Sequence, residues 1–241
     1  MEVHVELRAR DPLKAVERGD VLVIIDVLRC SSTIVTALVN GASEIIPVST
    51  VKQAKQMKLQ HPDYMLAGER KGLKPEGFEL GNSPREFTHG KVNGRAIILT
   101  TTDGTLAFGF AKGAREVLVG SFLNAEAVGK RVYKTACREN CGISLVACGK
   151  GGEFSIEDFL CAGRILETVP SGEFALADST VATLLASKGA GERISELVHS
   201  GEHGRALEEI DLVDDIGFCL RVNRYSAVPV FSDSRVTLQS H

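Results

Sequence analysis

Five short runs rich in β-branched residues, at 21–26, 44–48, 95–100, 116–120 and 143–148, are each followed by a stretch with helical periodicity. Those stretches cover 33–40, 51–59, 105–111, 125–138 and 156–167, and two more occupy 176–187 and 194–198. Strands joined through helices lie parallel in a sheet, and a parallel sheet is covered on both faces. The alternation therefore predicts an α/β fold: a largely parallel or mixed sheet with helices on both faces. No low-complexity linker or tandem repeat divides the chain, so 1–241 is expected to act as a single unit, built whole or as two intimately packed α/β subdomains.

Composition narrows the partners. Net charge is −3 with 24% charged residues, which leaves no basic surface excess for nucleic-acid phosphates. The longest apolar runs fall far short of the roughly 20 residues needed to span a bilayer. Residues 1–7 alternate apolar and polar positions as a strand does and lack the regions of a signal peptide, so a cytoplasmic location is expected, without membrane or nucleic-acid partners. Aromatic residues make up only 5% and Trp is absent, which disfavours stacking recognition and leaves small anionic ligands as the better fit. Cysteines at 30, 137, 141, 148, 161 and 219 include no CxxC pair and read as reduced thiols.

Five segments carry candidate chemistry. The run 26–33, DVLRCSST, puts Asp26 at a strand end and Arg29, Ser31, Ser32 and Thr33 at the helix start that follows. In open α/β sheets that edge receives ligands, and Arg29 is suited to clamp a phosphate; a capping serine and an Asp26–Arg29 ion pair are the structural alternative. Position 28 is Leu, where an aspartyl-phosphate enzyme carries its second acid, and position 36 is Thr, where a phosphocysteine enzyme carries its arginine. The junction 100–105, TTTDGT, offers Thr101, Thr102, Asp103 and Gly104 as an oxyanion cradle or an ordinary helix cap.

The aperiodic loop 68–94 holds Glu69, Arg70 and Asn82, either as site residues or as a solvated surface. The run 147–158 opens a Gly-rich turn into an acidic helix start with Glu157 and Asp158, which offers oxygen ligands for a metal or a capping box with Ser155. His199, His203, Asp211, Asp214 and Asp215 form a last group able to add acid chemistry or ligands, His203 being the better of the two histidines.

Taken in order, DVLRCSST (26–33), GER (68–70), GFELGNSP (77–84), TTDGT (101–105), SIEDFLCAG (155–163) and HGRAL (203–207) resemble the motif series of the 2-phosphosulfolactate phosphatase family over nearly the whole chain. The resemblance implies Mg²⁺-dependent hydrolysis of 2-phospho-3-sulfolactate to 3-sulfolactate and phosphate, a step toward coenzyme M. The alternatives are another small phosphorylated hydroxy acid as substrate, or a non-catalytic binding protein for an anionic metabolite. On this reading Asp26, Glu69 and Asp158 hold Mg²⁺, and Arg29 and Arg70 neutralise the phosphoryl group. Ser31, Ser32, Thr33, Asn82 and the 101–104 turn bind substrate, and water attacks in line unless Asp26 is itself the nucleophile. Two departures stand out: Cys30 where the family pattern has Ala, and Asp103 where it has Asn. A homo-oligomer is the expected assembly.

Overall fold

The computed structural model describes residues 1–170 and 172–239. Its strands are β1 (Glu2–Glu6), β2 (Val21–Ile25), β3 (Glu44–Pro47), β4 (Met65–Gly68), β5 (Ala96–Thr100), β6 (Val117–Gly120), β7 (Ile143–Ala147), β8 (Ala175–Leu176), β9 (Pro229–Ser232) and β10 (Arg235–Leu238). Between them run α1 (Pro12–Arg18), α2 (Cys30–Val39), α3 (Val51–Gln60), α4 (His89–Val92), α5 (Gly104–Phe110), α6 (Ala125–Glu139) and α7 (Ile156–Leu166). Then come α8 (Asp178–Ala190), α9 (Ile194–Ser200), α10 (Glu202–Glu208) and α11 (Val213–Cys219).

All ten strands join one mixed sheet in the order β4-β5-β3-β10-β9-β6-β2-β7-β1-β8. Alternate residues of β2 feed opposite cores: Val21, Val23 and Ile25 pack with α6 and α7, while Leu22 and Ile24 pack with α1, α2 and α5. Helices thus cover both faces, and β2 is buried along its whole length. The stripe Ala125, Val128, Val132 and Ala136 on α6 recurs every three or four residues and is fully buried, each valine contributing roughly 1.5–3 kcal/mol. Cys30 to Leu38 of α2 are all buried, which makes this helix a core element rather than a surface cover. Among the described residues, no helix is long and apolar enough to cross a membrane.

The sheet contains two parallel blocks, β4-β5-β3 and β6-β2-β7-β1-β8. An antiparallel hairpin, β9–β10, joins them: Val236 pairs with Ile45, and Phe231 pairs with Val117. Three successive antiparallel steps make the blocks run in opposite senses. A flat sheet would put their carboxyl ends on opposite edges; twist accumulating at roughly 20–25° per strand turns the edges toward one another. The hairpin turn has positive φ at both Asp233 (49°) and Ser234 (62°), the mirror-type turn whose twist suits paired strands.

The helix and strand runs read from the sequence reappear, with α2 beginning at Cys30 rather than Thr33. The hairpin, β4, β8, α1, α4, α10 and α11 were not anticipated. The 68–94 stretch is anchored rather than solvated, with Phe78, Leu80 and Phe87 buried.

Candidate active site

Asp26 is the residue after β2 and is only 7% exposed. Its Oδ1 accepts from the Cys30 amide at 3.1 Å. The three hydroxyls that follow build the wall instead of facing a ligand. Ser31 Oγ donates to the Asp26 carbonyl (2.7 Å), Ser32 Oγ to that of Val27 (2.8 Å), and Thr33 Oγ1 to that of Asn82 (2.8 Å). Each is buried, and together they fix the turn from β2 into α2. Against Asp26 lies the start of α5. A Cβ on Gly104 would strike Asp26 Oδ2 and come within 2.6 Å of the Cys30 Cβ, so the glycine is required by close approach and not by an unusual φ.

The facing wall comes from β4 and β5. Gly68 has φ 143°, and a side chain there would collide with the Thr100 backbone; this lets Glu69 reach across to the β5 loop. Glu69 Oε1 accepts from the Thr102 amide (2.8 Å) and hydroxyl (2.9 Å), and Oε2 from the Gly72 amide (2.8 Å). The Thr101 amide donates to Thr105 Oγ1 at 3.0 Å. These three donors of the expected 101–104 cradle are therefore used inside the fold.

The two expected arginines differ. Arg29 is 3% exposed and lines the cavity, but its ion-pair partner is Asp215 (2.7 Å), not Asp26, and it also donates to the Gly72 carbonyl (2.7 Å). Asp215 in turn accepts from Ser83 Oγ at 2.6 Å. Arg70 points away from the cavity, donating to the carbonyls of Glu69 (2.6 Å) and Ser49 (3.0 Å) and to Thr100 Oγ1 (2.8 Å). Asp158 also lies outside the lining: Oδ1 accepts from the Val27 amide (2.8 Å) and Oδ2 from the Gly149 amide (3.0 Å), tying the β2 loop to the β7 loop.

These walls enclose a cavity of about 340 Å³. Asp26, Glu69, Asp103, Asn82, Arg29, Lys71, Lys150 and His203 give it polar surface, while Leu28, Ala206, Leu207 and Ile210 close one side with apolar surface. A wider groove of about 530 Å³ near Lys112 and Arg138 lies elsewhere and contains none of these groups.

Burial dominates the electrostatics. It raises the Asp26 carboxyl to about 7; His203 and the Cys30 amide oppose the rise, and Asp103 and Glu69 add to it. Asp103 is raised for the same reason, offset by the Gly151 and Gly152 amides, and its Oδ2 accepts from Gly151 at 2.6 Å. Asp158 is pushed well above the carboxylate range by burial, then by Glu157 and Asp26. The Cys30 thiol is likewise pushed well up by burial and then by Asp26, so it stays protonated and is no nucleophile.

Among the described residues, no three His, Cys, Asp or Glu side chains form a ready-made metal cage. Oxygen donors are still concentrated on the cavity: Asp26, Glu69, Asp103 and Asn82, whose Oδ1 is buried without a hydrogen-bond partner. Mg²⁺ binds through one or two carboxylates and keeps several waters, so this donor set fits it.

Lys71 and Lys150 were not anticipated as lining groups. Both sit beside glycines in aperiodic turns, Lys71-Gly72 and Gly149-Lys150-Gly151, and that juxtaposition was the available signal. Asp215 was singled out only as one of an acidic patch; its burial beside Arg29 depends on how α11 packs, which no local pattern reveals.

A mixed α/β sheet that gathers several carboxylates, cations and one orphaned amide around a small cavity defines an enzyme for small anionic substrates. The sequence profile of the 2-phosphosulpholactate phosphatase family matches residues 8–234, and the chain belongs to that family. Similar proteins named probable 2-phosphosulfolactate phosphatase occur in Symbiobacterium thermophilum (37% identity, 91% of this chain and 94% of the relative) and Clostridium acetobutylicum (36%, 98% and 100%). A third, in Caldanaerobacter subterraneus subsp. tengcongensis, is 40% identical over 86% of each chain.

Proposed function

We propose that this chain is a phosphoric monoester hydrolase that converts 2-phospho-3-sulfolactate to 3-sulfolactate and phosphate. The observation that carries the reading is the cavity lined together by the buried Asp26 and Glu69 and by Arg29, Lys71 and Lys150, in a chain whose relatives are named probable 2-phosphosulfolactate phosphatase. A ligand with three anionic groups, a phosphate, a carboxylate and a sulfonate, needs cations at more than one point, and these three come from different loops. Arg29 is held by Asp215 and the Gly72 carbonyl, so the guanidinium meets a phosphoryl oxygen already oriented. Leu207 and Ile210 add apolar surface to the lining.

Asp26 and Glu69 would hold Mg²⁺, with Asp103 and Asn82 Oδ1 beside them. Bound there, Mg²⁺ would neutralise charge on the phosphoryl oxygens. Asp158 acts by fixing the loops that carry Asp26 and Lys150, and Arg70 by fixing Glu69. The hydroxyls of Ser31, Ser32 and Thr33 shape the wall. Direct attack by water is the reading we adopt for Asp26 as a metal ligand, and the absence of a side chain at Gly104 keeps room beside its Oδ2. The mostly buried, unpaired thiols suit a reducing compartment, and we place the reaction in the cytoplasm, on a route to coenzyme M.

The test is phosphate release from 2-phosphosulfolactate, phospholactate and phosphoglycolate, with Mg²⁺ and again with excess EDTA. Release confined to phosphosulfolactate and abolished by EDTA is the expected result. Equal rates on all three would overturn the sulfonate specificity. Tight binding without any release would replace the enzyme with a binding protein.

A further inference from the structure

We propose that His203, oriented by Glu157, is the general acid that protonates the leaving oxygen of the substrate. The inference rests on the phosphatase reading and goes beyond it, since that reading leaves the departing group unassisted. His203 is the second residue of α10 and lines the cavity. Its Nδ1 lies 2.8 Å from Oε1 of Glu157, the second residue of α7, whose side chain is 2% exposed. A carboxylate buried to that degree holds the imidazole in one orientation with a proton on Nδ1, and among the described residues Nε2 has no protein partner.

The alternative is a plain staple between the starts of α7 and α10. A staple needs no opening onto the cavity, however, and among the described residues His203 is the only imidazole lining it. The charged groups lining the same cavity are Asp26, Asp103, Glu69, Arg29, Lys71 and Lys150. Lys71 is exposed and Arg29 is committed to Asp215, so neither is fixed as a proton donor. An alkoxide is a poor leaving group, and a phosphate ester of a hydroxy acid gains most from proton donation at that oxygen.

The step balances. The bond from phosphorus to the ester oxygen breaks with its electron pair kept on that oxygen, which takes the proton from Nε2. The oxygen of a water molecule forms the new bond to phosphorus. One water proton stays on the product hydrogen phosphate and the other passes to solvent, from which the imidazole is reprotonated. Ester and water give alcohol and hydrogen phosphate.

The experiment measures kcat and the ¹⁸O isotope effect at the bridging ester oxygen on 2-phosphosulfolactate, for the wild type, His203→Asn and Glu157→Gln, each with its thermal melt. The expected result is a fall in kcat of about 10²-fold or more for His203→Asn, with a smaller fall for Glu157→Gln. The bridging isotope effect rises above the wild-type value in both variants, most in His203→Asn, where the oxygen departs unprotonated, and less in Glu157→Gln, where the donor is present but misaligned. A fall in kcat with an unchanged isotope effect, or no fall, overturns the proposal and restores the staple. If His203→Asn does not fold, Glu157→Gln gives the same two readouts and decides in the same way. A folded wild type that releases no phosphate from any ester of the panel overturns the phosphatase reading itself, and this step with it.

Discussion

Asp26 shows how one carboxylate carries both a cost and a use. Its ordinary pKa is 3.8 and burial raises it to about 7, so between these values the folded protein binds a proton that the unfolded chain has released. Stability contributed at this position is therefore complete below the unfolded value and is lost as pH rises through about 7. Asp26→Asn removes the ionisation while an amide oxygen can still accept from the Cys30 amide. The variant is expected to be more stable than the wild type at pH 8, by on the order of 2 kcal/mol, and equal to it at pH 4. Thermal melts across that range check the sign; a gain at pH 4 alone would contradict it. Added Mg²⁺ should raise the wild-type melting temperature at pH 8 and leave the variant unmoved, since binding to the folded state alone stabilises it.

Between elements, the link that holds the site is Asp158. Its two oxygens serve amides from two different loops, so Asp158→Ala leaves both donors unpaired and should cost about 3 kcal/mol, read by urea denaturation. Asp158→Asn should also destabilise, because its amide nitrogen would face an N–H. The contrasting case is Thr50, which caps α3 through a reciprocal box with Gln53 away from the cavity. Thr50→Ala is expected to cost about 1 kcal/mol and to leave kcat and KM unchanged.

The same elements mark how far the sequence could be read. The strands β2, β3, β5, β6 and β7 were legible because their apolar runs are bounded by clear helical periods. The junctions at Asp26 and Thr101 were legible as strand ends, whereas Glu69 was read only as a loop residue because the short β4 before it carries too brief a pattern. Which polar atoms enter the cavity was not. Ser31, Ser32 and Thr33 look like ligand donors until the backbone carbonyls they serve are seen, and Arg70 looks like a clamp until Ser49 and Thr100 come within reach. Those choices follow from contacts between residues tens of positions apart, which motif spacing does not encode.

At the scale of the molecule, the β9–β10 hairpin is the only join between the two parallel blocks of strands in the described sheet. Phe231 seals it, pairing with Val117 and packing on Phe108 with ring centroids 5.0 Å apart. Phe231→Ala is expected to cost about 3–5 kcal/mol. Activity should fall with it although no cavity group is touched, because Asp26 and Glu69 belong to different blocks. Denaturation followed by circular dichroism, run alongside phosphate release, tests whether the two losses coincide.

The hairpin comes last in chain order, at residues 229–238, yet it fills the middle of the sheet. On the ribosome, every other strand has emerged before the piece that joins them. Until then each block offers an open edge to its surroundings, and the two are linked through the helices α2 and α5 that pack on both. Translation must run through residue 238 before the described sheet is continuous, so a chain stopped a dozen residues short of that point would expose two unpaired sheet edges and is expected to release no phosphate.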